Sequence, residues 1–203
     1  MNILGNLLLR TGDPAGAVPL LERAVALRRK HSDAALAGSL LQLGTARLDT
    51  GEPGAAGTAY REALAEYRRL GDRPGEGRAL RALGWLATAN GDPAEALAHH
   101  EEAVRVLAET GTTVDYGLSL ESVGDCRFAT GEFTAADQAF RKAVETFTAV
   151  DNPVRLGIGL LKQAAAQRAL GRPGPAGEAE HEANRILAGI DAPEIHEVRT
   201  RLR

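Results

Sequence analysis

The sequence predicts an all-α chain, an α-solenoid of about five helix–turn–helix repeats closed by a C-terminal capping helix. Three observations predict it. A short glycine-bearing turn recurs at a fixed interval. Residues at set distances from that turn repeat with helical rather than strand spacing. Small side chains dominate, with 23 glycines against one Trp, one Met, one Cys and 4% aromatic residues. A chain with few large side chains must bury small ones, and that requires helices that approach closely.

The turn is Thr11-Gly12-Asp13-Pro14, which returns as Thr50-Gly51-Glu52-Pro53, Asn90-Gly91-Asp92-Pro93 and Thr130-Gly131-Glu132-Phe133. A looser copy is Leu170-Gly171-Arg172-Pro173. The turn glycines stand 39, 40, 40 and 40 residues apart. Seven residues before them are Gly5, Gly44, Gly84, Gly124 and Ala164; eight before are Leu4, Leu43, Leu83, Val123 and Gln163. Leu40, Leu80, Leu120 and Leu160 stand eleven before. Five after come Ala17, Ala56, Ala96, Ala136 and Ala176; twelve after come Ala24, Ala63, Ala103, Ala143 and Ala183.

Each repeat is therefore a helix A, a turn and a helix B. Glycine takes the left-handed conformation that ends helix A, the Asp or Glu that follows can cap helix B, and proline fits its first turn. In chain order the A helices are expected over 1–11, 34–50, 75–90, 114–130 and 153–170, the second opening near Asp33. The B helices are expected over 14–30, 53–70, 93–109, 133–149 and 173–188. Large residues nine after the turn glycine (Leu21, Tyr60, His100, Phe140) and sixteen after it (Tyr67, Leu107, Phe147, Leu187) fill the space left by the small ones. The fifth repeat is degenerate, carrying Gln163, Ala164, Arg172 and Glu180. After the array (1–190), Asp191 and Glu194 form a candidate capping box for a last helix over 191–203, with Ile195, Val198 and Leu202 as its apolar stripe. Only 11 residues precede Gly12, so the first helix begins part-way through, as in a fragment of a longer protein.

Composition excludes several classes. The chain has 203 residues, 44% hydrophobic and 25% charged, with a net charge of −3, which argues against a disordered chain or a generic polyanion binder. A single Cys126 excludes an internal disulfide framework and a multi-cysteine zinc site. No run resembles a membrane span or a secretory signal, so a cytoplasmic location is the expectation.

The Leu-Gly pair of helix A, the Gly-Asp/Glu-Pro turn and the two alanines of helix B resemble the tetratricopeptide repeat family across essentially the whole chain. The usual period of that family is about 34 residues, and the longer one here resembles the subtype of Pins-type adaptors, kinesin light chains, Rap-type peptide sensors and the C-terminal regions of actinobacterial transcription regulators. HEAT and armadillo arrays have longer periods too, but the turn glycine and alanine pair favour the tetratricopeptide reading. The resemblance implies a right-handed superhelix whose concave surface is lined by one face of each helix A. On that face, 13, 10, 6 and 3 residues before each turn glycine, the repeats differ from one another. The third repeat places Arg78, Arg81 and Trp85 there; the fourth places Glu121, Asp125 and Phe128; the fifth places Arg168. Trp and Arg dominate interface hot spots, so these seven residues are the candidate partner-binding set. Trp85 could equally serve inter-helix packing. Glu121 and Asp125 could instead pair with Arg81 or Arg78. The family's clamp for chaperone C-termini is echoed only at Asn6 and Arg10, while Thr45 and Asp49 depart from it.

No catalytic residues, metal ligands or cofactors are expected. His99-His100-Glu101-Glu102 invites a metal reading, but His100 occupies the slot used by Leu21, Tyr60 and Phe140, which favours packing. Cys126 reads as a buried small hydrophobe, and Arg28-Arg29-Lys30 and Arg68-Arg69 as solvated cations at helix C-termini. The function implied is a non-enzymatic scaffold for a protein or peptide partner. It would be a regulatory or sensor region of a larger bacterial, transcription-regulator-like protein, with other domains of its own chain as a further partner and without nucleic-acid or membrane contact. The alternative is a peptide-responsive sensor that changes superhelical shape on binding.

Overall fold

The computed structural model describes residues 2–31, 34–111 and 113–201, with the side chains of Asn2 and Arg201 outside that description. Met1, the expected helix start at Asp33, and Leu202 and Arg203 of the expected last helix lie outside the described residues. Those described form α1 (Asn2–Arg10), α2 (Pro14–Lys30), α3 (Leu36–Asp49), α4 (Pro53–Leu70), α5 (Arg73–Ala89), α6 (Pro93–Ala108), α7 (Val114–Ala129), α8 (Phe133–Ala149), α9 (Pro153–Ala169), α10 (Pro173–Ile186) and α11 (Pro193–Arg201). The fold class is the expected one, all-α helical hairpins of the solenoid type, with no strand among the described residues.

The turns form as the glycines require. Gly12, Gly51, Gly91, Gly131 and Gly171 all have φ between 70° and 81°. At each, two backbone bonds close the end of helix A; Gly12 N–H reaches Leu9 O at 3.2 Å and Asp13 N–H reaches Leu8 O at 2.8 Å. Both satisfy carbonyls that the helix end would otherwise orphan. Capping divides by side-chain length. Asp13 and Asp92 accept from Gly16 N–H and Glu95 N–H, each at 2.9 Å. Glu52 and Glu132 do not cap; one methylene longer, they accept instead from the Thr50 and Thr130 hydroxyls at 3.2 and 2.9 Å. The candidate capping box of the last helix is also replaced: Asp191 meets His196 Nε2 at 2.9 Å, and Glu194 faces Arg155 at 3.9 Å.

The glycine seven before each turn has a specific partner. A Cβ built on Gly44, Gly84 or Gly124 would stand 2.5, 2.5 and 2.4 Å from the ring of Tyr60, His100 or Phe140, and one on Gly5 would stand 2.9 Å from Leu21. Each of these partners lies nine residues after its own turn glycine. Helix A thus gives up its side chain where helix B inserts a large one. The fifth repeat confirms the pairing by exception: where helix B carries only Glu180, helix A carries Ala164. A second couple went unread in the sequence. Gly117 and Gly157, fourteen before their turns, make room for Phe147 and Leu187 in the same way, at 2.6 and 2.4 Å.

The chain divides into two compact units, residues 1–106 and 107–203. In the first, α1 to α5 pack in sequential pairs around a continuous cluster running from Ala17 to Val106. In the second, α7 to α10 pack sequentially and α11 lies on α9. Its apolar clusters centre on Phe140 with Ala136 and Ala166, and on Ile158 with Leu187 and Ile195.

Candidate functional site

The A-helix stripe is less uniform than its spacing suggests. The position ten before the turn is closed in every described repeat but the second, since Arg81, Glu121 and Leu161 are all buried while Leu41 is half-buried. The position six before is more open: Thr45, Trp85 and Asp125 are exposed, and Asn6 and Ala165 half-buried.

In the first unit, Arg81 and Trp85 are one helical turn apart on α5 and act together. The guanidinium carbon lies 5.0 Å from the centroid of the indole ring, a cation–π contact. Burial of the arginine fixes its head, and the indole covers it while remaining 50% exposed. Arg78 is half-buried on the turn before. Beneath the same helix, His100 fills the cleft at Gly84 as predicted, 1% exposed. Burial, then the nearby charges of Arg81 and His99, push its pKa down to about 4, so it is neutral at physiological pH. Its neighbour His99 faces Glu95 at 3.6 Å.

In the second unit, Glu121 and Asp125 are joined by a residue the spacing did not single out. Lys162 Nζ lies 2.6 Å from Glu121 Oε1 and 2.7 Å from Asp125 Oδ2. Burial alone would lower the lysine's pKa, but Asp125 and Glu121 together outweigh it and raise it above its ordinary 10.5. Arg155 stands 3.9 Å from Glu121 and 3.9 Å from Glu194, tying α7, α9 and α11 into one charged cluster. Phe128 is half-buried and meets Phe133 edge-on, with centroids 5.2 Å apart. That contact accounts for phenylalanine where the other turns carry proline. Arg168 is exposed and pairs with Glu180 at 2.6 Å, so a residue of the variable face answers the fifth repeat's departure from the large-residue column.

Gln163, another departure, donates to the buried Asp137 at 3.4 Å, and Asp137 also accepts from Arg141 at 2.9 Å. The signal for both Lys162 and Gln163 was present as rarity: Lys162 is one of three lysines, and Gln163 breaks a column of aliphatics. What the sequence withheld was the partner across the helix gap.

Two further expectations change. Cys126 is half-buried rather than buried. The basic helix ends are not merely solvated: Arg28 donates to Ala35 O at 2.8 Å and to the Ser39 hydroxyl, and Arg29 pairs with Glu62. Arg68 reaches both Glu76 and Glu102 at 2.8 Å. These cations stitch neighbouring repeats together. Among the described residues no three His, Cys, Asp or Glu side chains are grouped to hold a metal ion, and no helix is long and apolar enough to cross a membrane.

Two profiles of the tetratricopeptide repeat match the sequence, over residues 35–109 and 1–33. No curated protein matches it closely enough to count as a relative. Solved structures do resemble it. The crystal structure of BtubC from P. vanneervenii aligns with a TM-score of 0.81 at 17% identity, over 94% of this chain and 80% of that one. The apo form of RapI aligns at 0.84 with 13% identity, over 99% of this chain and 73% of that one. A signal transduction ATPase with a tetratricopeptide repeat sensor, from Pyrococcus horikoshii, aligns at 0.80 with 17% identity; there the match spans 95% of this chain but only 30% of that protein. At such identities the likeness is one of fold.

Proposed function

Because the chain belongs to the tetratricopeptide repeat family, we propose that it is a non-enzymatic scaffold that binds a protein or peptide partner through the open face of its A helices. The observation that carries this reading is Trp85: the largest side chain in the protein stands half out in solvent on a stripe that differs from repeat to repeat, with its ring pre-oriented by Arg81. An exposed indole held in one orientation offers a large apolar contact at little entropic cost on binding. The charged residues around it give a partner something to match. In the second unit, Asp125 and Arg168 are the exposed members of the candidate set.

The repeats serve a cytoplasmic regulatory or sensor region of a larger bacterial protein, of the transcription-regulator kind. The fold-level likeness to a protein with a tetratricopeptide sensor supports that placement. The test is photo-crosslinking in cells, with a benzophenone amino acid at exposed Thr88, one turn beyond Trp85. A discrete protein adduct is expected, lost on Trp85→Ala while the circular dichroism and melting temperature stay within the range of ordinary surface changes. An adduct that survives Trp85→Ala would show that this face is not the binding surface.

A further inference from the structure

The first unit leaves hollow in one repeat a groove that it fills in the next. On the side of α3 turned away from the variable stripe, a cavity of about 320 Å³ lies between α2 and α4. Leu40 and Leu43 form its floor, Val25 and Ala59 its walls, and Arg47 stands at its rim, paired with Glu22. The equivalent groove over α5, between α4 and α6, has the same leucine floor in Leu80 and Leu83. The same ion pair also crosses both grooves, as Arg29–Glu62 in the first and Arg68–Glu102 in the second. The walls differ. The second groove carries Leu64 in place of Val25 and His99 in place of Ala59, and the His99 ring faces the carboxylate of Glu95, whose counterpart is Ala55. One groove thus holds a longer aliphatic chain, a planar ring and that ring's carboxylate. The other lacks all three and has a cation, Arg47, where α5 carries Ala87.

We infer that the hollow groove is a binding site for a small aromatic carboxylate, separate from the Trp85 face. Shape and charge select that class. The cavity has the size of a small-molecule site, with an apolar interior and few polar groups at its edge. The ligand's ring lies over Leu40 and Leu43, in the place that His99 takes one repeat later. Its carboxylate meets Arg47, whose planar guanidinium suits both an acid group and an aromatic face. The protein itself uses that guanidinium poorly. Nη2 donates to Glu22 at 2.8 Å, while Nε is shut off from water with no hydrogen-bond partner. Glu22 is 48% exposed, and an ion pair so open contributes little. Exchanging it for a ligand carboxylate lets the guanidinium turn and donate from both nitrogens, which a neutral ligand cannot offer.

Amide NMR titration of the full chain with benzoate, phenylacetate and 3-phenylpropionate tests this. At least one should bind with a Kd of about 1 mM or tighter, the scale for a ligand of roughly ten heavy atoms. The shifts should centre on Val25, Leu43 and Ala59. Acetate lacks the ring and benzyl alcohol lacks the charge, so each should bind about 10-fold more weakly or worse. Arg47→Gln should weaken the aromatic acid by about 10-fold or more, the scale of one charge-assisted hydrogen bond. Ala59→His sets in this groove the ring that the next repeat carries, and should abolish binding. Val25→Leu fills less of the cavity and should weaken binding with the circular dichroism unchanged, which keeps the test open if the histidine disturbs the fold. No saturable shift with any of the three acids at millimolar concentration overturns the inference. So does binding that survives both Arg47→Gln and Val25→Leu, or shifts centred on Trp85.

Discussion

Residues 1–106 gather Leu21, Leu40, Tyr60, Tyr67, Leu80 and their neighbours into one continuous apolar cluster, whereas residues 107–203 set buried polar groups between smaller ones. Among the described residues the second unit buries Glu121, Asp137, Gln163 and three hydroxyl side chains; the first buries Ser39, Glu76, Arg81 and His100. The repeat template is the same in both. The difference teaches that the template prescribes where backbones approach and where a large side chain enters, and leaves open whether the remaining gaps close by apolar contact or by charge. It also places buried groups with opposite pH windows in the two units, His100 in the first and Lys162 in the second.

The sharpest way to break this contrast is to remove Lys162. With the cation gone, buried Glu121 loses the partner at 2.6 Å, and the second unit should lose about 3 kcal/mol or more. Lys162→Met combined with Glu121→Gln should recover much of it, because no buried charge then stands alone. Urea unfolding of the two variants checks both; equal loss in each would show that packing around the lysine stem, not charge, matters. The sign with pH follows. A lysine whose folded pKa is raised contributes stability fully below its ordinary 10.5 and loses it as pH rises through the folded value, so this part of the stability fades in alkali.

His100 has the opposite window. Its folded pKa of about 4 lies below the ordinary 6.5, so between those values the unfolded chain binds the proton and the folded one does not. Stability should therefore fall by up to about 3 kcal/mol as pH drops from 6.5 toward 4, and level off below. His100→Phe places in the third repeat the ring that Phe140 supplies to the fourth, and it should flatten this slope. Melting curves across that range would decide; an unchanged slope in His100→Phe would assign the acid sensitivity to other groups.

A smaller effect probes what the units share. Gly124→Ala puts a Cβ 2.4 Å from the Phe140 ring, and the resulting overpacking, about 1–3 kcal/mol, is only partly offset by the helix propensity that alanine gains. Ala164→Gly, at the same template position opposite Glu180, should cost about 1 kcal/mol from propensity alone. Opposite residue changes at one position would then both destabilise. A stabilised Gly124→Ala would show that the ring yields and that close approach is not what selects glycine.

The hairpin order and nearly every helix boundary were legible, because turn glycines, alanine columns and large insertions recur with a period that only stacked helical hairpins explain. The −7 glycines were legible as packing positions, but their individual partners, Tyr60, His100 and Phe140, emerged only in three dimensions. The candidate site was less legible. Spacing identifies a helix face, yet burial varies along it: Arg81 and Glu121 lie under neighbours, while Trp85 and Asp125 one turn further on are open. Pairings such as Lys162 with Glu121 join residues 41 apart, and nothing in a one-dimensional pattern says which acid a lysine reaches. Spacing put Phe128 on the candidate face, and only the structure shows its edge-on partner, Phe133, which stands where the other turns carry proline.

The isolated indole on α5 also makes the molecule its own optical probe. Tryptophan emission comes from residue 85 alone, so it reports the environment of the proposed binding face and the integrity of the first unit, and carries no direct signal from α7 to α11. Far-ultraviolet circular dichroism sees all the helices equally. Unfolding followed by the two signals in one sample would thus distinguish a chain that melts as a single cooperative body from one whose halves come apart in sequence, without a label or a mutation.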